Sequence, residues 1–273
     1  MIISSATAKI NFEYFNQFVP AKKTIILLHG FTGSLEDWRS VSSMLDTGYN
    51  YVGIDLIGHG KSDSPTNVEA YTAEKIIRQI DDIADHLSLN KILLLGYSMG
   101  GRAALNYAVK YPEKVEALIL ESTSPGIKDQ KECKLRIKND EKLAEYIEKH
   151  SIEEFIGFWL NLDIFNTQRR FSEEKRKQIK LAKMQNNKTG LANSLRGFGT
   201  GTMNPLFDHL KNINCKTLLI TGELDEKFTN ISRETMKLFP DAEHKTINNS
   251  GHNTHLEESQ EFVNIVDKFL SHI

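Results

Sequence analysis

Apolar positions along this chain fall into two rhythms. Short runs recur without polar-apolar alternation: TIILL at 24–28, YVGID at 51–55, ILLL at 92–95, VEALILE at 115–121 and KTLLIT at 216–221. A run of that kind marks a strand buried on both faces of a parallel sheet. Residues 242–247 predict one more strand. The stretches 72–87 and 257–273 place apolar residues three and four apart, which predicts amphipathic helices. Residues 8–18 alternate apolar and polar, the pattern of an antiparallel edge hairpin. Strands and helices that alternate in this way imply an α/β fold, a mostly parallel sheet covered by helices on both faces.

One interval breaks the alternation. Roughly 90 residues separate the strand ending near Glu121 from the one starting near Lys216, against the roughly 2–6 of an ordinary connection. Its pattern is helical over 133–150, 152–160, 172–186 and 191–195, with Lys and Glu outside and an aromatic cluster including Phe155, Phe158 and Phe165. The expected organisation is a core of residues 1–123 and 206–273 carrying a helical cap, 124–205. Most of the cap aromatics are expected to form its own core and its seat on the sheet. Others would line a pocket beneath it.

Composition narrows the class. With 34 basic and 36 acidic residues in 273, the net charge is −2, which gives no reason to expect a nucleic-acid or membrane-surface partner. The N-terminus lacks the basic-then-apolar pattern of a secretion signal, and no apolar run has the length of a membrane span, so the expected location is cytoplasmic. Cys133 and Cys215 lack metal-ligand spacing and read as two reduced thiols, with no metal and no cofactor expected.

The chemistry gathers around KILLLGYSMGGRAALNY at 91–107. A strand pattern runs into Gly96-Tyr97-Ser98-Met99-Gly100 and continues as a helix. A G-x-S-x-G turn in that context makes a sharp, strained corner that exposes the serine hydroxyl. Serine alone is a poor base and a poor nucleophile. It needs an imidazole to exchange its proton and an acid to hold that imidazole in one tautomer. Loops at the carboxyl ends of parallel strands share one rim, so loops 29–34, 56–62, 221–225 and 250–252 should converge on Ser98. His252, directly after Gly251, is the expected partner, with His255 the nearest rival. His29 and His59 precede the serine and are expected to brace backbone. Asp225 has the short side chain and loop position of an orienting acid, flanked by Glu223 and Glu226. The backbone N–H groups of Phe31 and Met99 are the expected oxyanion donors.

Arg102, one helical turn after Ser98, stands where small or apolar residues would pack more cheaply. A buried guanidinium persists only with a partner. Either it is structural, paired with a carboxylate or loop carbonyls, or it clamps a substrate carboxylate. Arg136 and Arg196 could join the same positive pocket, although Arg136 taken alone reads as a solvated helix charge.

These residues carry a resemblance. HGFTGS at 29–34, GYSMGGR at 96–102, LILESTSPGI at 118–127, SLRGFGTGTMNPLF at 194–207, GELDEKF at 222–228 and GHNTHLE at 251–257 resemble the α/β-hydrolase superfamily over nearly the whole chain. More narrowly they resemble the 2-succinyl-6-hydroxy-2,4-cyclohexadiene-1-carboxylate synthases of menaquinone biosynthesis. The resemblance implies the α/β-hydrolase fold and a lyase that expels pyruvate from 2-succinyl-5-enolpyruvyl-6-hydroxy-3-cyclohexene-1-carboxylate, a small polycarboxylate. It implies Ser98, Asp225 and His252 as a triad acting as base, with Arg102, Arg136 and Arg196 on the carboxylates and Tyr97 and Trp159 beside them. Ile57 departs from the proline usual before G-H-G. The competing expectations are a serine hydrolase on the same frame, cleaving an ester, thioester or carbon–carbon bond, and a non-catalytic member.

Overall fold

The computed structural model describes residues 1–5 and 8–273. Among them eight strands form one sheet, ordered β1-β2-β4-β3-β5-β6-β7-β8. The strands are β1 (Ile2–Ser5), β2 (Ala8–Tyr14), β3 (Thr24–Leu28), β4 (Asn50–Ile54), β5 (Ile92–Tyr97), β6 (Val115–Glu121), β7 (Lys216–Gly222) and β8 (Ala242–Ile247). β1 and β2 form the antiparallel edge, and from β4 to β8 every pairing is parallel. The hairpin lies earlier than the alternation predicts, since β2 ends at Tyr14. Beyond it the Asn16 side chain bonds the Tyr49 carbonyl and the Tyr51 amide, replacing the backbone ladder.

Why the runs show no alternation is visible in the packing. Ile25 and Leu27 of β3, Leu93 and Leu95 of β5, and Ile119 of β6 point to one face. There they meet Trp38, Val41 and the final helix. Their neighbours Ile26, Leu28, Leu94, Leu118 and Leu120 point to the other, against α2 (Ala73–His86) and α3 (Met99–Lys110). Successive strand side chains alternate between faces, so burial of both faces demands apolar residues throughout.

Between β6 and β7 lie α4 (Gln130–Lys149), α5 (Ile152–Leu160), α6 (Glu173–Lys183) and α7 (Lys188–Phe198). They have a core of their own, with Ala144 and Ile147 meeting Phe155, Ile156, Leu191 and Leu195. Phe31 packs against both this core and the sheet core, so the loop after β3 is one contact between cap and base, and α7 makes another where Asn193 donates to the Pro65 and Thr66 carbonyls. The last helical stretch is broken in two: α9 (Thr254–Glu257) and α10 (Ser259–Leu270), with α8 (Glu226–Met236) before β8. The break at Glu258 follows from Glu257, whose carboxylate turns back to accept from the Gly251 and Asn253 amides. Among the described residues no helix is long and apolar enough to cross a membrane, and no cluster of His, Cys, Asp and Glu could hold a metal.

Candidate active site

Ser98 sits between β5 and α3 with φ 50° and ψ −104°, a left-handed conformation that costs a non-glycine residue energy. The corner closes because its neighbours lack side chains. A Cβ at Gly100 would run into the Leu28 carbonyl, and one at Gly96 into the Gly100 carbonyl. Three bonds hold the strained residue: its amide donates to the Glu121 carbonyl at 2.8 Å, and its carbonyl accepts from Thr123 Oγ1 at 2.7 Å and Arg102 N at 3.1 Å.

Of the four loops expected to converge on this hydroxyl, the one carrying His252 bonds it directly and the one carrying Asp225 bonds His252. His252 Nε2 is 3.1 Å from Ser98 Oγ, and His252 Nδ1 is 2.6 Å from Asp225 Oδ2. Asp225 caps α8, its Oδ1 accepting from the Phe228 amide at 3.3 Å, so the carboxylate is fixed at both oxygens. An ionised carboxylate can only accept. Nδ1 therefore carries the imidazole proton, and Nε2 offers its lone pair to Ser98. His255 makes a different pair: its Nδ1 lies 2.6 Å from Glu121 Oε2, and its ring stacks on Trp38 at 4.1 Å. His29 does brace backbone, with Nδ1 at the Gly30 carbonyl and Nε2 accepting from the Leu56 amide. His59, also held at a backbone carbonyl, is driven down to about 3 by burial and by His29, which keeps it neutral.

Over the triad lies a cavity of about 320 Å³ between cap and sheet. Ser98, Met99 and His252 form part of its floor, with Phe31 and Tyr97 beside them. Met99 is the first residue of α3, where an amide has no acceptor within its own helix, and it sits next to the serine. Tyr97 lies between His252 and His255, at ring distances of 5.4 and 5.2 Å, and burial lifts its hydroxyl pKa well above the ordinary value. Trp159 closes the cap side, edge-on to Phe31 at 5.1 Å, and its buried indole N–H has no partner among the described residues.

The arginines separate. Arg102 lines the cavity, donates Nη2 to the Phe198 carbonyl at 2.8 Å and stands 5.2 Å over the Phe198 ring. Its buried Nε has no partner, and no carboxylate pairs with it among the described residues. Burial, then the nearby charge of Arg136, push its pKa down to about 9, against the pull of Asp140, so it is a cation at neutral pH that lacks an anion. Arg136 lines the same cavity, with Nε on both oxygens of Asp140 at 2.8 and 2.9 Å. Burial raises the Asp140 carboxyl above its ordinary value, and Arg136 opposes the shift. Arg196 does not reach the cavity. It bonds Glu141 and Glu148 of α4, with contacts from 2.5 to 3.1 Å, and ties α7 to α4. Two anions on the facing helix hold it there.

Residues that pattern alone does not single out also shape the site. The Phe228 ring is 4.5 Å from His252, and Lys227 lines the cavity beside it. Glu121, wholly buried, joins the serine turn to the histidine loop: its carbonyl holds Ser98, while its carboxylate accepts from Thr254 Oγ1, His255 N and His255 Nδ1. A signal was available for it, since an acidic residue closing an apolar strand must have a buried partner.

Residues 23–259 match the family model of the alpha/beta hydrolase fold. A protein of Bacillus subtilis (strain 168) described as a putative 2-succinyl-6-hydroxy-2,4-cyclohexadiene-1-carboxylate synthase is 41% identical over 93% of this chain and 92% of its own. A synthase of that description from Enterobacter sp. (strain 638) is 28% identical over 87% and 88%. The solved structure of MenH from S. aureus superposes with a TM-score of 0.91 at 34% identity, covering 96% of this chain and 98% of that one. A thermophilic esterase from Thermogutta terrifontis, at 22% identity and a TM-score of 0.85 over 99% and 97%, shares the fold. With that match and these relatives, the chain belongs to the α/β hydrolase fold family.

Proposed function

We propose that the protein is a 2-succinyl-6-hydroxy-2,4-cyclohexadiene-1-carboxylate synthase, a cytoplasmic lyase that eliminates pyruvate from 2-succinyl-5-enolpyruvyl-6-hydroxy-3-cyclohexene-1-carboxylate. The observation that carries this reading is Arg102, a buried cation with no carboxylate of its own, in the cavity that holds Ser98. A neutral ester gives such a cation nothing to bind. A carboxylate supplies the missing charge and the missing acceptor at Nε.

The chemistry follows from the line of hydrogen bonds. His252 Nε2 takes the Ser98 proton as Oγ removes the proton beside the succinyl ketone. The released electron pair moves toward the ketone oxygen, facing the Phe31 and Met99 amides, and then into the ring as the carbon–oxygen bond to the enolpyruvyl group breaks. That bond's electrons leave with the oxygen as pyruvate enolate. The imidazolium proton passes to its methylene carbon, giving pyruvate, and Ser98 keeps the substrate's proton as its hydroxyl. Serine and histidine end as they began, with no acyl-enzyme. Arg136 and Trp159 complete the hold on the substrate in this scheme.

The test is pyruvate release from the enolpyruvyl substrate by wild type and Arg102→Ala. A loss of roughly 10–100-fold in kcat/KM is expected on removing a charged hydrogen-bonding group. Fast turnover of a neutral p-nitrophenyl ester, unaffected by Arg102→Ala and with an acyl group on Ser98, would instead mark a serine hydrolase.

A further inference from the structure

A second cavity, of about 440 Å³, opens off the first. The two meet along Ser98, Arg102, Arg136, Thr200, Lys227 and Phe228, so the serine and the arginines stand at a junction. The walls differ. The first chamber is largely apolar, with Phe31, Leu143, Trp159, Leu162 and Phe165. The second adds Lys128 and the hydroxyl residues Thr123 and Ser124 to the shared cations. Lys128 Nζ stands 4.5 Å over the Phe207 ring and Lys227 Nζ 5.5 Å over the Phe228 ring. Neither has an ion-pair partner among the described residues. Two carboxylates oppose this charge. Asp129 Oδ1 is taken by the Lys131 and Glu132 amides at the start of α4, and Glu132 remains.

We infer that this second chamber is the subsite for the leaving group, a small 2-oxo carboxylate, with Lys227 and Lys128 as its carboxylate-binding residues. The inference rests on the lyase reading. The ring and its succinyl arm fit the apolar chamber, and a fragment cut off at Ser98 must leave without crossing them. The second chamber is a polar, cationic space that adjoins Ser98 and Arg102 away from those apolar walls. Lys227 follows Asp225 by two positions, so α8 carries the acid and the product's counter-charge on one rigid element. Positive charge on the far side of the breaking bond also favours departure of an anion.

The probe is pyruvate alone, titrated into the full-length protein by ligand-observed NMR and used as a product inhibitor of the lyase assay. Wild type should bind it. Lys227→Met should weaken binding about 5–10-fold, the range of one charge-assisted bond partly exposed to water. Lys128→Met should weaken it less, and Lys211→Met, on the surface outside both chambers, should match wild type. The inhibition constant should rise by the same factors, with melting temperatures unchanged. Pyruvate that fails to bind wild type, or binds both lysine variants as it binds wild type, overturns the inference. Release of pyruvate on turnover together with lysine-independent binding leaves the lyase reading standing and removes the chamber. Lysine-dependent binding with no turnover does the reverse.

Discussion

Ser98 and Arg102 are both held at a cost, and each cost has a measurable consequence. At φ 50° Ser98 pays for its exposure in backbone energy that glycine would not pay. Ser98→Gly is expected to cut turnover about 10²–10⁴-fold yet raise stability by about 1 kcal/mol, read from urea unfolding. Arg102 pays in desolvation. Its pKa, pushed down to about 9, means that the free protein begins to lose this charge at mildly alkaline pH. A bound carboxylate holds the charge on. Affinity for the substrate should therefore be level up to about pH 8 and fall as pH rises through about 9, and the fall should vanish in Arg102→Ala. Serine, acid and histidine were legible because their loops follow strands in a fixed order. Lys227 was not, since one lysine among many on helices has no pattern that marks it. Arg196 reads from the sequence as a pocket residue, but its partners Glu141 and Glu148 lie on a different helix, a pairing that spacing along the chain does not reveal.

At the scale of elements, the site depends on how α7 meets α4 and how β6 meets the histidine loop. Arg196 bridges the helices at two carboxylates, with its side chain 20% exposed. Arg196→Met should cost about 1 kcal/mol of stability and raise KM far less than Arg102→Ala does. Equal effects of the two variants on KM would instead place Arg196 on the substrate. Glu121 is the stronger tie, because it holds the elbow through its carbonyl and the 254–255 turn through its carboxylate. Glu121→Ala would leave His255 without its partner in the interior, at a cost of about 3–5 kcal/mol. The inner strands β3 to β7 were readable one by one, since burial on both faces leaves an unbroken apolar run. Ends were less so. The hairpin's true span and the break at Glu258 are set by side chains, Asn16 bonding backbone at Tyr49 and Tyr51 and Glu257 turning back on the Gly251 and Asn253 amides.

For the molecule as a whole, a net charge of −2 conceals a small local excess of positive charge, with Arg102, Arg136, Lys128 and Lys227 set against Asp129, Glu132 and Asp140. Cations gather where the sheet rim meets the cap, around Ser98, while most ion pairs lie on the surface, where each contributes little. Such a distribution draws an anionic substrate to one place in a protein that does not attract anions generally. The parallel sheet converges the loops, the cap closes apolar walls over them, and in the proposed reaction the unpaired arginine selects the carboxylate substrate on which the serine acts. The direct measurement is pyruvate release, followed with a coupled dehydrogenase, from the enolpyruvyl substrate by wild type and Ser98→Ala, with the intact mass of the wild-type protein taken during turnover. One pyruvate per substrate, a fall of about 10²–10⁴-fold on losing the serine, and an unmodified protein mass are expected. No pyruvate, or a covalent adduct on Ser98 that forms and decays at the turnover rate, would contradict a triad that works as a base.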